Sequence, residues 1–231
     1  MQKTIGLIGG LTWHSTLDYY RLLNQLTNDT LGKAYSAKIL LYSVNFEEIK
    51  NLTYANDWDS IADIMIGVAQ KLETAGADCL LLGANTMHQI ANKVRAAIHI
   101  PFIHIAEVTA HAIAAKGLQT VALLGTKYTM QLPFFVTTLA LQGIATIIPD
   151  QIDIDFINTT IYDEMGKGIF LPSTKEKYLQ IIEKMQAKGA QGVILGCTEI
   201  PILIKQDDCT IPIFDTGLLH ATAAVDFALS K

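Results

Sequence analysis

The sequence contains little charge and no long apolar run. Of its 231 residues, 17% are charged and 50% are hydrophobic, and the formal net charge is −5. A compact globular protein is typical of this composition, whereas disorder requires fewer aliphatic residues. No apolar segment is long enough to span a bilayer, and the N-terminus lacks the basic-then-apolar layout of a secretion signal. We therefore expect no membrane partner and a cytoplasmic location.

The chain also lacks a basic run and a lysine- or arginine-rich stripe interleaved with aromatic residues. Proteins that bind nucleic acid need such positive surfaces to neutralise phosphates. We therefore expect no nucleic-acid partner. A small polar metabolite is the more plausible ligand.

Cysteine is scarce and metal-ligand spacing is missing. The three cysteines, Cys79, Cys197 and Cys209, form no CxxC pair and no even disulfide framework. No group of His, Cys, Asp and Glu has the spacing of a metal site, so we expect no metal. The glycine loop Gly9-Gly10-Leu11-Thr12 fits neither the dinucleotide nor the P-loop pattern.

What the sequence does contain is an internal repeat. The segment GADCLLLGA at residues 76–84 corresponds to GAQGVILGC at residues 189–197. Two further matches follow in the same order, TIGLIGG (4–10) with TVALLGT (120–126) and IPFIH (100–104) with IPIFD (211–215). The order of the three matches predicts two related halves.

Short apolar runs that end in glycine alternate with stretches of helical period, which is typical of buried parallel strands in βαβ units. The sequence predicts an α/β fold with two pseudo-symmetric, flavodoxin-like domains, each with a parallel sheet. We expect residues 1–101 plus 212–231 to form the first and residues 102–211 the second, with a cleft between them. Strands are predicted near 4–8, 37–43, 79–82, 102–105, 121–124, 145–148, 193–195 and 213–214. Among the helices, one near 173 is predicted to begin with a Ser173/Glu176 capping box and to end at Gly189.

Ligands of parallel sheets bind at the carboxyl ends of the strands, where Ala84 and Cys197 occupy equivalent positions. Cys197 precedes a predicted helix, whose first N–H groups would favour a thiolate and lower the pKa of the thiol. A lone cysteine in a tight turn is more often a small buried residue. The repeat and the position at a strand end favour a catalytic thiol instead, whereas Cys79 and Cys209 are expected to be structural or incidental.

Polar side chains follow both strand ends. Asn85 and Thr86 occupy the turn of the first half, and Thr198 and Glu199 the corresponding turn of the second. These side chains and the adjacent backbone N–H groups could hold a carboxylate, or could serve only as helix caps. His104, at another predicted strand end, is more often a satisfied core residue than a functional one.

Five segments together resemble the aspartate/glutamate racemase family along the whole chain. They are IGLIGG (5–10), ANTMH (84–88), LGTKYTM (124–130), GCTEIP (196–201) and FDT (214–216). The resemblance is strongest to the aspartate/glutamate and broad-specificity amino-acid racemases. It implies a cofactor-independent enzyme, a homodimer, and an amino acid or dicarboxylate as the small-molecule substrate.

The resemblance also implies roles for individual residues. Racemases of this family place two acid/base groups on opposite faces of the α-carbon, at positions that correspond to Ala84 and Cys197. The remaining residues of the implied substrate site are Gly10, Leu11, Asn85, Thr86, Thr126, Thr129, Lys167, Thr198 and Glu199. Lys167 would pair with the side-chain carboxylate of aspartate or glutamate, unless it is a solvated loop lysine.

Ala84 departs from the two-cysteine pattern because a methyl group cannot carry a proton. Three alternatives follow: water beside Ala84 acts as the second proton carrier, a single thiol acts as a decarboxylase or isomerase of a dicarboxylate, or the protein binds an amino acid without turnover. The other motifs favour a racemase that acts on aspartate or glutamate with water on the second face.

Overall fold

The computed structural model describes residues 2–230 and divides into two compact units. The first unit comprises the described residues of Met1–Ile105 and His220–Lys231, and the second comprises Ala106–Leu219. Both units are α/β in structure. Among residues 2–230, all of the strands in both sheets pair in parallel. The chain passes from one unit to the other within two helices. Both crossing points come later in the sequence than the predicted boundaries, which lie at 101 and 212.

The first unit is a three-stranded parallel sheet with helices. Its elements are β1 (Thr4–Gly9), α1 (Trp13–Leu31), β2 (Lys38–Ser43), α2 (Phe46–Tyr54), α3 (Trp58–Thr74), β3 (Cys79–Leu82), a 3-10 helix (Thr86–Ile90) and α4 (Ala91–Ala96). The strand order is β2-β1-β3, and Phe102 extends the sheet by a single parallel bridge to Leu80. β1 and β3 lie in register from Ile5 opposite Cys79 to Ile8 opposite Leu82.

Alternate residues of these strands are buried on opposite faces of the sheet. Cys79 and Leu81 pack with one apolar cluster, which includes Tyr19 of α1, whereas Leu80 and Leu82 pack with another, which includes Met65 of α3. Period-two side-chain orientation produces this division. Cys79 is fully buried, so burial raises the pKa of its thiol to about 12, as suits a structural residue.

The second unit contains a four-stranded parallel sheet. Its elements are α5 (Ile105–Ala115), which begins at the last residue of the first segment, β4 (Thr120–Gly125), α6 (Lys127–Gln131), α7 (Pro133–Ala140), β5 (Ala145–Ile147), α8 (Gln151–Asp163), a 3-10 helix (Met165–Lys167), α9 (Pro172–Ala187), β6 (Val193–Gly196), α10 (Ile200–Leu203), a 3-10 helix (Gln206–Asp208), β7 (Ile213–Asp215) and α11 (Thr216–Leu229). The strand order is β5-β4-β6-β7. α11 continues into the first unit, where Ala221, Ala224 and Val225 join its core as predicted for the last helix.

Several local predictions were wrong. The predicted Ser173/Glu176 capping box is absent, because α9 already begins at Pro172, after Leu171, and no side chain caps it. Proline at the first helical position supplies a helical φ and has no N–H that needs a partner. The predicted strand at 102–105 is reduced to the bridge at Phe102, since α5 already begins at Ile105. The glycine end of α9 is confirmed, with Gly189 at φ +100°.

Within residues 2–230, no helix combines the length and the apolar character that a membrane crossing demands.

One buried carboxylate joins two helices of the second unit. Asp153 on α8 is 1% exposed, and its oxygens lie 2.8 Å from Lys184 Nζ and 3.2 Å from Lys177 Nζ of α9. Burial opposes ionisation, but the two lysines outweigh it and lower the pKa of Asp153. The ionised form therefore stabilises the unit at neutral pH, and that contribution disappears as the pH falls through the lowered pKa.

Replacing both lysines in a Lys177→Met, Lys184→Met variant leaves this carboxylate buried without its cations. We expect the free energy of unfolding at pH 7 to fall by about 1–3 kcal/mol, measured by urea denaturation. Lys188→Met, an exposed lysine at the end of the same helix, is the control and should change stability by less than about 0.5 kcal/mol. A double variant as stable as this control would contradict the prediction.

Candidate active site

Two glycines bring the ends of β4 and β6 together in the second unit. Gly125 lies opposite Gly196 in the parallel register. A Cβ at Gly125 would lie 2.9 Å from Gly196 O, and a Cβ at Gly196 would lie 3.0 Å from Leu124 O. Thr129 covers both glycines, since its Cγ2 would be 3.1 Å from either Cβ. The glycines therefore place Thr126 and Cys197, the next residues, at the same edge of one sheet.

Thr126 and Thr129 form a small hydroxyl pair at this edge. Thr126 caps α6 by accepting the Thr129 N–H at 3.2 Å, and the two hydroxyl oxygens are 3.1 Å apart. Thr126 is 7% exposed and Thr129 is fully buried. The structure thus brings Thr126 to the strand end as predicted, whereas Thr129 lies beneath it and holds it in place.

Cys197 is hydrogen-bonded to a buried carboxylate. Its Sγ donates to Glu199 Oε2 at 2.8 Å, and the Thr198 hydroxyl donates to the same oxygen at 2.8 Å. Glu199 is only 7% exposed, whereas Cys197 and Thr198 remain partly exposed. A partly exposed thiol is thereby held against a carboxylate that can accept its proton.

This environment contradicts the expected low pKa of the thiol. Burial, the charge of Glu199 and the hydrogen bond to Glu199 raise the pKa of Cys197 well above its ordinary value, against weaker opposition from backbone N–H groups. The predicted helix is also only four residues long, from Ile200 to Leu203, so its dipole is small. The substrate-free protein therefore holds Cys197 as a thiol.

A buried phenol lies in the electrostatic environment of this carboxylate and thiol. Tyr178 on α9 is fully buried and lies 3.1 Å from the Thr160 hydroxyl. Burial chiefly raises the pKa of its phenol, the hydrogen bond with Thr160 opposes that rise, and the nearby carboxylates of Glu164 and Glu199 add to it. Tyr178 therefore stays neutral.

In the first unit, the turn after β1 requires glycine. Gly10 has a φ of +78°, and a side chain there would collide with the backbone of Val44. The Gly10 N–H donates to Thr16 Oγ1 at 2.7 Å. Leu11, predicted to contact substrate, is 6% exposed, and its side chain packs in the core of the first unit.

The turn after β3 carries Ala84, Asn85 and Thr86. The Gly83 N–H donates to Ile8 O at 2.9 Å, which ties this turn to the end of β1. Ala84 and Thr86 are partly exposed, and Asn85 is 6% exposed. A 3-10 helix from Thr86 to Ile90 follows, the Asn85 side chain makes no capping bond to it, and α4 continues from Ala91. The ring of His88 contacts the Ala84 carbonyl, with Nδ1 2.9 Å from the oxygen.

The remaining predicted residues lie in different settings. Lys167 belongs to the 3-10 helix after α8, is 61% exposed and pairs with Asp163 at 3.2 Å. Cys209 is partly exposed, and burial raises the pKa of its thiol. Among the described residues, no group of three or more His, Cys, Asp or Glu side chains could hold a metal ion.

Sequence reasoning missed two contacts of this site. It gave Glu199 a role in substrate binding but did not connect its carboxylate with the Cys197 thiol, although the spacing of two residues across a turn permits such a contact. It also gave no role to His88, whose spacing of four residues from Ala84 was the available signal.

The sequence matches the Asp/Glu/Hydantoin racemase family over residues 8–224. A protein classed as an Asp/Glu racemase from Yersinia pestis has a crystal structure that is 43% identical, with a TM-score of 0.94 and coverage of 99% of this chain and 100% of that one. An aspartate racemase homologue from Pyrococcus horikoshii OT3 is 34% identical, with a TM-score of 0.89 and full coverage of both chains, at 100% each.

A curated relative extends the similarity to the amino-acid racemases. The broad-specificity amino-acid racemase RacX of Bacillus subtilis (strain 168) is 26% identical over 174 residues, which are 75% of either chain. The family match covers most of the sequence and agrees with the two α/β units and their parallel sheets. The chain therefore belongs to the Asp/Glu/hydantoin racemase family.

Proposed function

We propose that this protein is a PLP-independent amino-acid racemase that acts on aspartate or glutamate. Cys197 serves one face of the α-carbon, and water beside Ala84 serves the other. The observation that carries the proposal is the hydrogen bond from the Cys197 thiol to Glu199 at a strand end. A partly exposed thiol that is hydrogen-bonded to a proton acceptor has the parts that general acid/base catalysis needs.

Glu199 takes the thiol proton when substrate binds. The Cys197 thiolate then removes the α-proton, so the Cα–H bond breaks and an S–H bond forms, and the electron pair spreads into the substrate carboxylate. Water on the Ala84 side donates a proton to the opposite face of the planar carbanion. The proton held by Glu199 neutralises the resulting hydroxide through solvent, and this restores the starting thiol and carboxylate.

Three polar residues of the two turns are proposed to hold the α-carboxylate and amine: Asn85, Thr86 and Thr198. Thr126 supplies a hydroxyl from the second unit, and Gly10 allows backbone to approach the ligand. Thr129 supports Thr126 from below, since it is fully buried. Lys167 pairs with the substrate side-chain carboxylate after release from Asp163, its partner at 3.2 Å.

Ala84 favours one further candidate activity. A thiol without an opposing acid/base side chain can deliver a proton to one face only, as a decarboxylase or an isomerase of dicarboxylates requires. Racemisation and single-face chemistry differ in one measurable property. Racemisation exchanges the α-proton with inversion, whereas single-face chemistry exchanges it with retention.

Incubation of L- and D-aspartate and L- and D-glutamate in deuterated water tests the thiol. We expect the wild type to incorporate deuterium at Cα and to invert the configuration of that carbon. Proton NMR measures the deuteration, and chiral chromatography measures the inversion. Cys197→Ala should lower exchange by about 10²–10⁴-fold, because the acid/base group is lost. Cys209→Ala is the matched control. Undiminished exchange in Cys197→Ala would refute the assignment of the thiol.

Ala84→Cys restores a proton-carrying side chain to the second face. We expect the rate of inversion to rise by about tenfold, because a positioned acid replaces water. Ala84→Val fills similar space without a proton and should lower that rate. If Ala84→Cys behaves like Ala84→Val, position 84 does not serve the second face.

Glu199→Gln tests the carboxylate as the cause of the raised thiol pKa. Removal of its charge should lower the pKa of Cys197, so alkylation by iodoacetamide at pH 8 should become faster, by about tenfold for each pKa unit removed. Mass spectrometry of the Cys197 peptide gives the rate, with the Cys209 peptide of the same sample as reference. A rate unchanged relative to Cys209 would contradict the prediction.

A further inference from the structure

Three buried histidines of the first unit have no part in the proposed reaction. His88, His104 and His220 are 2%, 6% and 0% exposed. The ring centroid of His88 lies 4.7 Å from that of His104 and 5.5 Å from that of His220. Burial is the main reason why the pKa of His104 and of His220 falls to about 4 and that of His88 falls well below its ordinary value. All three rings are therefore neutral at physiological pH.

The hydrogen bonds of His88 define which ring nitrogen carries the proton. The backbone N–H of Ile105 lies 3.2 Å from Nε2, and an N–H can only donate, so Nε2 is the acceptor. The proton of the neutral ring is consequently on Nδ1. Nδ1–H then donates to the Ala84 carbonyl, at 2.9 Å.

The tautomer of His220 is defined in the same way and is the opposite one. Its Nε2 lies 2.7 Å from the Ile103 carbonyl, which can only accept, so Nε2 carries the proton. Its Nδ1 accepts from the Tyr19 hydroxyl at 2.8 Å. The two rings thus bind the backbone on either side of His104.

We infer that His88 is a positioning residue for the second face of the reaction, because its Nδ1–H holds the carbonyl of Ala84 and so orients the Ala84–Asn85 peptide. In a planar trans peptide the C=O and the N–H point in opposite directions. Fixing the Ala84 carbonyl therefore fixes both the direction of the Asn85 N–H and the position of the Ala84 Cα, which carries the methyl group. The inference rests on the proposed function, in which this turn faces the substrate.

His220 and Tyr19 extend the same support. His220 holds the Ile103 carbonyl. The N–H of Ile105, two residues later, donates to His88, so His220 fixes the segment to which His88 is bound. A hydrogen-bonded ring on each side gives the 103–105 segment little freedom to shift. A displaced peptide plane at a reacting centre costs catalysis far more than binding.

Two conservative variants separate the contacts of His88. The amide of His88→Asn reaches the place of Nδ1 and can still donate to Ala84, but it cannot accept from Ile105. The longer amide of His88→Gln reaches the place of Nε2 and can accept from Ile105, but it leaves the Ala84 carbonyl without a donor. His99→Asn and His99→Gln are matched surface controls, since the His99 side chain is 96% exposed.

The experiment measures kcat and KM for inversion of L-aspartate and L-glutamate, total α-deuteration, and the thermal midpoint of each variant. We expect His88→Gln to lower kcat for inversion by about 10- to 100-fold with KM nearly unchanged, and His88→Asn to retain kcat within about threefold. Both should lose similar thermal stability, because each loses one buried hydrogen bond. Equal losses of kcat that follow the thermal midpoint would show a purely structural residue and overturn the inference.

Two readouts separate failure of this inference from failure of the proposed function. If the wild type exchanges no α-proton with either amino acid, the proposed function is wrong, whatever His88 does. Nitrogen-15 NMR of the ring atoms tests the geometry without activity. We expect His88 protonated on Nδ1 and His220 on Nε2, both neutral at pH 6. His88 protonated on Nε2 would overturn the inference even in an active racemase.

Discussion

The hydrogen bond between the Cys197 thiol and the Glu199 carboxylate is the interaction on which the site depends. A carboxylate that is 7% exposed needs donors, and Cys197 and Thr198 supply two of them at 2.8 Å. An ionised group buried without such partners would cost several kcal/mol. The turn after β6 is therefore organised around Glu199, and the thiol is held in one orientation as a result.

The backbone beneath that turn depends on small residues. Gly125 and Gly196 face each other across β4 and β6 with no room for a Cβ, and Thr129 closes the space above them. A larger residue at either glycine would separate the strand ends and move Thr126 relative to Cys197. Close packing of the backbone and the polar contacts of the turn therefore position the same short segment of chain.

The equivalent turn of the first unit, after β3, is held by a histidine that lies beyond the turn. Glu199 is two residues from Cys197 and accepts a hydrogen bond from its thiol, whereas His88 is four residues from Ala84 and donates to its backbone carbonyl. In the second unit the supporting group takes part in the proton chemistry that we propose. In the first it acts only on the backbone, which is consistent with a methyl group at position 84.

The βαβ order, the repeat and the strand-end position of Cys197 could be predicted from the sequence, because buried parallel strands leave a direct pattern of apolar runs and glycines. The protonation state of Cys197 could not. It depends on how Glu199 folds back across its turn and how deeply it is buried, and neither is encoded in spacing. The Ser173 capping box was wrong for a different, local reason, since Pro172 begins the helix before Ser173 can cap it. His88 and Ile105 are seventeen residues apart, so their contact leaves no local pattern.

A raised pKa at Cys197 is compatible with a base once the protons are counted. A racemase with two thiols keeps one of them protonated and the other ionised, so each can reverse roles. A single thiol has no such partner, and its own proton must be stored while it carries the substrate's proton. Glu199 is in contact with the sulfur and can store it, so a thiol that rests protonated against a carboxylate suits the reaction that we propose, in which water beside Ala84 serves the second face.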